Sequence, residues 1–313
     1  MYNELYGLRK DPFRVSPDPS FLFLTDQHRE ALSGLTYAIL QRSGFVVLTG
    51  EIGTGKTTLL ARILRFLPAN RLQFSKIVNP ILTPAEFFEL VLLEFGLRDI
   101  PTNKAQRLWM LQNLVAEGRR EGKVSVLIVD EAQNLTPEVL EEIRMLGNYE
   151  EAELPCLQVL LVGQTELDDT LNRDDLRQLK QRISARFTLG PLAPTEVGDY
   201  MRHRWMSAGG KEMPFTPEAI ADVAYISRRI PRVINALCDN ALLVAFAGRS
   251  TTVLHTHVRE AAEKLDLGEA PGATEPDESE TASELKPELQ PPLQVLTHKP
   301  SLWNRWVSRH ESA

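Results

Sequence analysis

Eight consecutive residues carry the plainest chemical signal in the chain: Gly50-Glu51-Ile52-Gly53-Thr54-Gly55-Lys56-Thr57 has the spacing G-x-x-x-x-G-K-[ST], with Thr58 following. Glycines at these points let backbone N–H groups turn inward around phosphate oxygens, where side chains would block the approach. Lys56 is then placed to reach β- and γ-phosphates, and Thr57 to offer its hydroxyl to Mg²⁺. A second signal is Val126-Leu127-Ile128-Val129-Asp130-Glu131, an apolar run ending in adjacent carboxylates. At the C-terminal end of a strand in an open α/β sheet, such acids lie beside the phosphate loop. Asp130 is expected to hold Mg²⁺ through water and Glu131 to polarise an attacking water, and hydrolysis needs that second acid where nucleotide binding alone does not.

Four more side chains join these. Gln164, in Val162-Gly163-Gln164-Thr165-Glu166, is expected between Glu131 and the γ-phosphate, orienting water. Arg182 and Arg186, late in the same α/β region, have the placement of arginines that project to the γ-phosphate of a neighbouring subunit and spread transition-state charge. Arg232 follows Pro231 at a predicted helix start, pointing from the first turn toward phosphate. Each has a plainer alternative: a turn glutamine, solvated arginines, a basic patch with Arg228 and Arg229. The histidines, His28 among them, stand at no zinc spacing, so no metal beyond the nucleotide's Mg²⁺ is expected.

Positioning these groups requires a sheet covered by helices. Residues 1–190 alternate short apolar runs with helical periodicity, with strands expected at Phe45–Leu48, Phe74–Val78, Val124–Val129 and Gln158–Val162 and helices at 84–95, 102–120 and 135–147. That order implies parallel pairing through right-handed crossovers. In the helix over 102–120, Trp109 is expected to face the core with Leu108, Leu111 and Leu114. Residues 191–267 read as a small helical lid domain. Thr195 is the expected cap of its first helix, Thr216-Pro217-Glu218 opens the second, a third follows Pro231 and a fourth begins near Thr256.

Residues 268–313 turn to Pro, Glu, Ser and Thr and read as a disordered tail, whose Trp303 and Trp306 suit a short docking segment. The formal net charge is −7, and the segment from Glu269 to Gln290 accounts for most of it with seven acids against Lys286. The nearly balanced body gives nucleic-acid binding no positive support. Two cysteines, Cys156 and Cys238, suit a reducing interior, and no apolar stretch approaches bilayer length. The chain reads as cytoplasmic.

Phosphate loop, paired acids, polar sensor, late arginines and a helical Pro-Arg motif together resemble an AAA+ ATPase. The opening narrows the resemblance: Tyr6-Gly7-Leu8, Asp11-Pro12-Phe13, Ser16-Pro17-Asp18-Pro19, Phe21-Leu22-Phe23-Leu24 and His28-Arg29-Glu30-Ala31-Leu32, before Gly44-Phe45-Val46-Val47, are similar to the ExeA/GspA family of general secretion pathway ATPases. The likeness runs from residue 1 to about 265 and implies a P-loop AAA+ three-layer α/β domain with a parallel sheet and an all-α lid. It also implies ATP and Mg²⁺ as ligands, an N-terminal segment near the adenine with Phe13 as a contact, and Gln164 and Arg232 as the first and second sensors. The family further implies self-assembly as a ring, dimer or other homo-oligomer and an envelope or secretion-system partner at the inner membrane. Ser227-Arg228-Arg229 departs from the family, whose members usually have glycine there. The alternative is a DNA-directed regulator resembling transposition ATPases, kept open by the basic clusters Arg119-Arg120, Arg202-His203-Arg204 and Arg228-Arg229.

Overall fold

Three apolar runs are buried along their whole length, and they form the middle of one sheet. The computed structural model describes residues 2–268, save 17, 68, 79, 148–149 and 152–153; the expected tail with Trp303 and Trp306 lies outside the described residues. The strands are β1 (Phe45–Gly50), β2 (Leu72–Ile77), β3 (Val124–Val129), the two-residue β4 (Glu150–Glu151) and β5 (Leu154–Pro155), β6 (Leu157–Val162) and β7 (Ile183–Leu189). Five of them pair in the order β2-β3-β6-β1-β7, every pairing parallel, while β4 and β5 form a separate antiparallel ribbon. All strand C-termini in the five-stranded sheet therefore share one edge, where ligands bind in open α/β sheets.

The helices are α1 (Tyr2–Tyr6), α2 (Asp26–Leu40), α3 (Lys56–Phe66), α4 (Pro84–Glu94), α5 (Lys104–Arg120), α6 (Pro137–Leu146), α7 (Glu166–Leu171), α8 (Arg177–Lys180), α9 (Glu196–Ser207), α10 (Pro217–Ile226), α11 (Pro231–Ala247) and α12 (His255–Lys264). Period-two alternation splits each central strand between two cores. Val47, Leu127, Val129, Val159 and Leu161 pack with Phe87, Leu111 and Ile143 of α4 to α6. Their sequence neighbours Val46, Leu48, Val126, Ile128, Leu160 and Val162 pack on the other face with α2 and α3. Helices on both faces of a parallel sheet make the three-layer α/β arrangement.

Two expectations fail here for physical reasons. β7 has no counterpart among the expected strands because it is an edge strand with alternating exposure, so its apolar residues never form a run. Trp109 is 65% exposed, since the buried stripe of α5 is Arg107, Leu111, Val115 and Gly118, and a residue two positions before Leu111 lies on the opposite side of the helix.

The four helices α9 to α12 enclose a third core built on Trp205, Val223, Leu237 and Val258. Thr216 caps α10 by accepting the Ala219 N–H at 3.2 Å, with Pro217 at its first position. Thr195 occupies the position before α9 without a side-chain cap; the Glu196 carboxylate accepts the Ala193 N–H at 2.8 Å instead. Tyr2 and Phe13 belong to this third core, so the N-terminal stretch is part of the helical bundle. Among the described residues, no helix is long and apolar enough to cross a membrane.

Candidate functional site

The loop from Gly50 to Lys56 joins β1 to α3. Gly55 sits at the N-cap with φ +104°, a left-handed conformation that a side chain would strain. The loop is held from inside: Lys56 Nζ donates to the carbonyls of Gly50 (2.7 Å) and Glu51 (2.9 Å), and the Thr54 hydroxyl donates to Glu51 O (2.9 Å). Burial lowers the pKa of Lys56, while Glu131 and Asp130 oppose that shift by favouring its charge. Its ammonium is thus fixed across the loop mouth in the geometry a phosphate oxygen would meet.

His28 adds an external tether. Its Nδ1 lies 2.7 Å from the Thr25 hydroxyl and its Nε2 3.2 Å from the Thr54 carbonyl. A carbonyl only accepts, so Nε2 carries the proton and Nδ1 accepts from Thr25. Burial lowers this imidazole's pKa, keeping the neutral form on which the pattern depends. Spacing does not single out His28, because its role is a tertiary contact; its place in the His28-Arg29-Glu30 stretch is the available signal.

The acids lie across β6 from the loop. Asp130 is buried, accepts the Glu131 N–H at 3.2 Å and faces Lys76 Nζ at 3.6 Å. Glu131 turns away with φ +57°, and its Oε2 accepts from Gln133 Nε2 at 2.6 Å and from Gln164 Nε2 at 3.5 Å. Gln133, absent from the expected set, also accepts the Gln164 N–H at 3.0 Å and so joins the ends of β3 and β6.

One cleft, of about 980 Å³ with its open mouth included, is lined by Ile52 to Thr58, Glu131, Gln164 and Arg232. Beyond the loop it is lined by Val15, Ser16, Asp18 and Phe21 to Phe23 and by Tyr200, Arg204 and Asn235. Arg232 reaches it from the first turn of α11, where its N–H donates to Gly53 O at 3.2 Å. Phe13 does not line it. That side chain is 0% exposed and packs edge-on against Phe215 inside the helical bundle, so Phe13 does not face the cleft as the expected contact would. Arg182 and Arg186 stay outside their own cleft: Arg186 pairs with Asp168 at 2.9 Å, and Arg182 Nη1 lies 3.5 Å from Arg144 O.

Strand order and loop position define a class. Residues 39–171 match the AAA domain family, and the fold superposes on Cdc6p from Pyrobaculum aerophilum with a TM-score of 0.63 at 18% identity, over 82% of this chain and 72% of that one. The chain belongs to the AAA+ class. General secretion pathway protein A from Aeromonas hydrophila is 42% identical over 266 residues, which cover 84% of this chain and 48% of that protein. The chain belongs to the ExeA/GspA family, and it spans about half the length of that relative. ATP-dependent target DNA activator B of Escherichia phage Mu is also similar, at 25% identity over 255 residues, 80% of this chain and 75% of that protein.

Proposed function

We propose that the chain hydrolyses ATP with Mg²⁺ in this cleft and uses the cycle to assemble or regulate a secretion, pilus or exopolysaccharide system of the cell envelope. The observation that carries the proposal is the 42% identity to a general secretion pathway protein over 84% of this chain. In this reading, residues 191–267 serve as a lid on the nucleotide-binding region of residues 1–190. The chain works in the cytoplasm as a homo-oligomer and is brought to the inner membrane by a partner or by its C-terminal segment.

The residues suit the reaction. Backbone N–H groups from Gly53 to Thr58 face the phosphates, and the Lys56 ammonium exchanges its two carbonyl partners for phosphate oxygens. The Thr57 hydroxyl and the Asp130 carboxylate are the hard oxygen donors that magnesium prefers, and the ion, when bound, neutralises charge on the β- and γ-oxygens. Glu131 takes the proton of the attacking water, which Gln164 and Gln133 orient through the carboxylate they share. Arg232 reads the phosphate from α11, and Arg182 or Arg186 of a neighbouring copy completes the site.

A second reading, a DNA-directed regulator, is favoured by the similarity to the phage target DNA activator. It loses one of its basic groups, because Arg204 is buried rather than displayed. ATP turnover by the purified chain over a concentration series, with and without duplex DNA, separates the two. A rate per chain that rises with concentration and ignores DNA supports the envelope ATPase, whereas strong stimulation by DNA moves the assignment to the second reading.

A further inference from the structure

Arg204 of α9 is only 7% exposed, and among the described residues no carboxylate pairs with it. Burying a guanidinium without a counter-charge is costly unless its N–H groups are used. They are used on the N-terminal segment: Nε donates to Pro12 O at 2.6 Å and Nη2 to Arg14 O at 3.0 Å. Its Cζ lies over the Phe21 ring, 4.9 Å from the ring centroid. Nη1 donates to the Tyr200 hydroxyl at 3.2 Å, and that hydroxyl donates to Asn235 Oδ1 at 2.8 Å. Asn235 stands on α11, in the turn after Arg232. One cation therefore joins the segment that walls the cleft to the helix that carries the phosphate-reading arginine.

The phosphate loop occupies one end of the cleft, so the rest of a bound nucleotide falls at the other end, among Phe21, Tyr200 and Asn235. We propose that Arg204 is the positioning residue of this nucleoside end: through its contacts with Pro12, Arg14 and Phe21, and through Tyr200 and Asn235, it holds that segment and α11 as one wall, without touching phosphate itself. The proposal rests on the nucleotide reading of the cleft and adds a division of labour within it. The loop binds triphosphate, and the Arg204 network makes that binding depend on the nucleoside.

The test compares ATP with inorganic tripolyphosphate, binding each to the full chain by calorimetry. Arg204→Met should weaken ATP roughly ten- to hundred-fold, the range set by losing hydrogen bonds to a charged group, and leave tripolyphosphate unchanged. Tyr200→Phe keeps the packing and removes only the relay; it should weaken ATP several-fold with the same selectivity, and it decides the matter if the methionine variant does not fold. Parallel loss of both ligands would make the network merely structural, and unchanged ATP affinity would remove it from binding; either result overturns the proposal. Lys56→Ala should lose both ligands. A wild-type chain that binds neither would instead refute the nucleotide reading, and the proposal with it.

Discussion

The Arg232 N–H donates to the Gly53 carbonyl, and a Cβ placed on Gly53 would stand 2.5 Å from the Cβ of Arg232. Phosphate loop and α11 thus meet backbone to backbone, with room for a hydrogen atom and nothing larger. Gly53 also has φ +86°, so alanine there combines strain with a clash. Gly53→Ala should push α11 off the loop and weaken ATP binding at least about ten-fold, beyond a stability loss of about 1–2 kcal/mol. Calorimetry beside a denaturant melt checks this; unchanged affinity would mean that helix and loop act independently.

Glu131→Gln should keep ATP affinity near the parental value and lower turnover by roughly 10²- to 10⁴-fold, the range of a lost general base. Single-turnover kinetics read the chemical step directly. Hydrolysis at the parental rate would exclude Glu131 as the base.

Arg186 is tied to Asp168 of its own chain at 2.9 Å, on the outer strand of the sheet. If it serves a neighbouring copy, Arg186→Ala should bind ATP normally and hydrolyse it poorly. Mixing it with Glu131→Gln should then restore activity, because the second variant lends an intact arginine to a site with an intact base. No recovery in the mixture, with both variants assembled, would count against a trans role.

Arg228 and Arg229 occupy the left-handed region consecutively, at φ +50° and +63°, between α10 and α11. The turn is held by Ser227, whose hydroxyl accepts the Arg229 N–H at 3.1 Å, and by Leu192, whose N–H donates to Arg229 O at 3.0 Å. Relief of about 1–2 kcal/mol per residue, offset by the greater chain entropy of glycine, predicts that Arg228→Gly or Arg229→Gly stabilises by about 0.5–1 kcal/mol. Chemical denaturation should show a higher midpoint with an unchanged slope.

His28 ties stability to pH. Burial holds its native pKa below the ordinary 6.5, with the Thr54 carbonyl and Glu196 acting in the opposite sense. Above 6.5 the stabilisation is complete. As pH falls from 6.5 toward the native pKa the unfolded chain binds the extra proton and stability is lost, and below the native pKa this group contributes no further slope. His28→Gln, which can still donate to Thr54 O, should melt with a shallower pH dependence between 7.5 and about 5.5. Equal slopes would show that other groups set the acid response.

The parts of the site that were legible in the sequence are those that chemistry places next to one another along the chain. Gly50 to Thr57 must be contiguous to wrap a phosphate, and Asp130-Glu131 must end a strand, so both could be read as strings. Gln164 was legible because it follows an apolar strand. His28, Gln133, Arg204 and Asn235 were not, since each acts on a partner remote in sequence or outside any motif. Phe13 is a ligand contact only by what the family resemblance implies; its ring lies in the bundle, where it meets Phe215. Edge position hid β7, and the helical wheel of α5 turned Trp109 outward.

The seat of the N-terminal stretch in the helical bundle bears on how the molecule is made. The Tyr2 hydroxyl donates to Asp239, a separation of 237 positions. During synthesis, β7 completes the sheet once Leu189 has emerged, but α1 and Phe13 have no partners in the helical bundle until α9, Phe215 and then α11 follow. Residues 2–13 thus find their places later than the sheet that follows them in sequence, and a high share of such distant closures slows folding. The loop side of the cleft can therefore form on a nascent chain, whereas the wall of Phe21, Tyr200 and Asn235 forms only once α11 has followed.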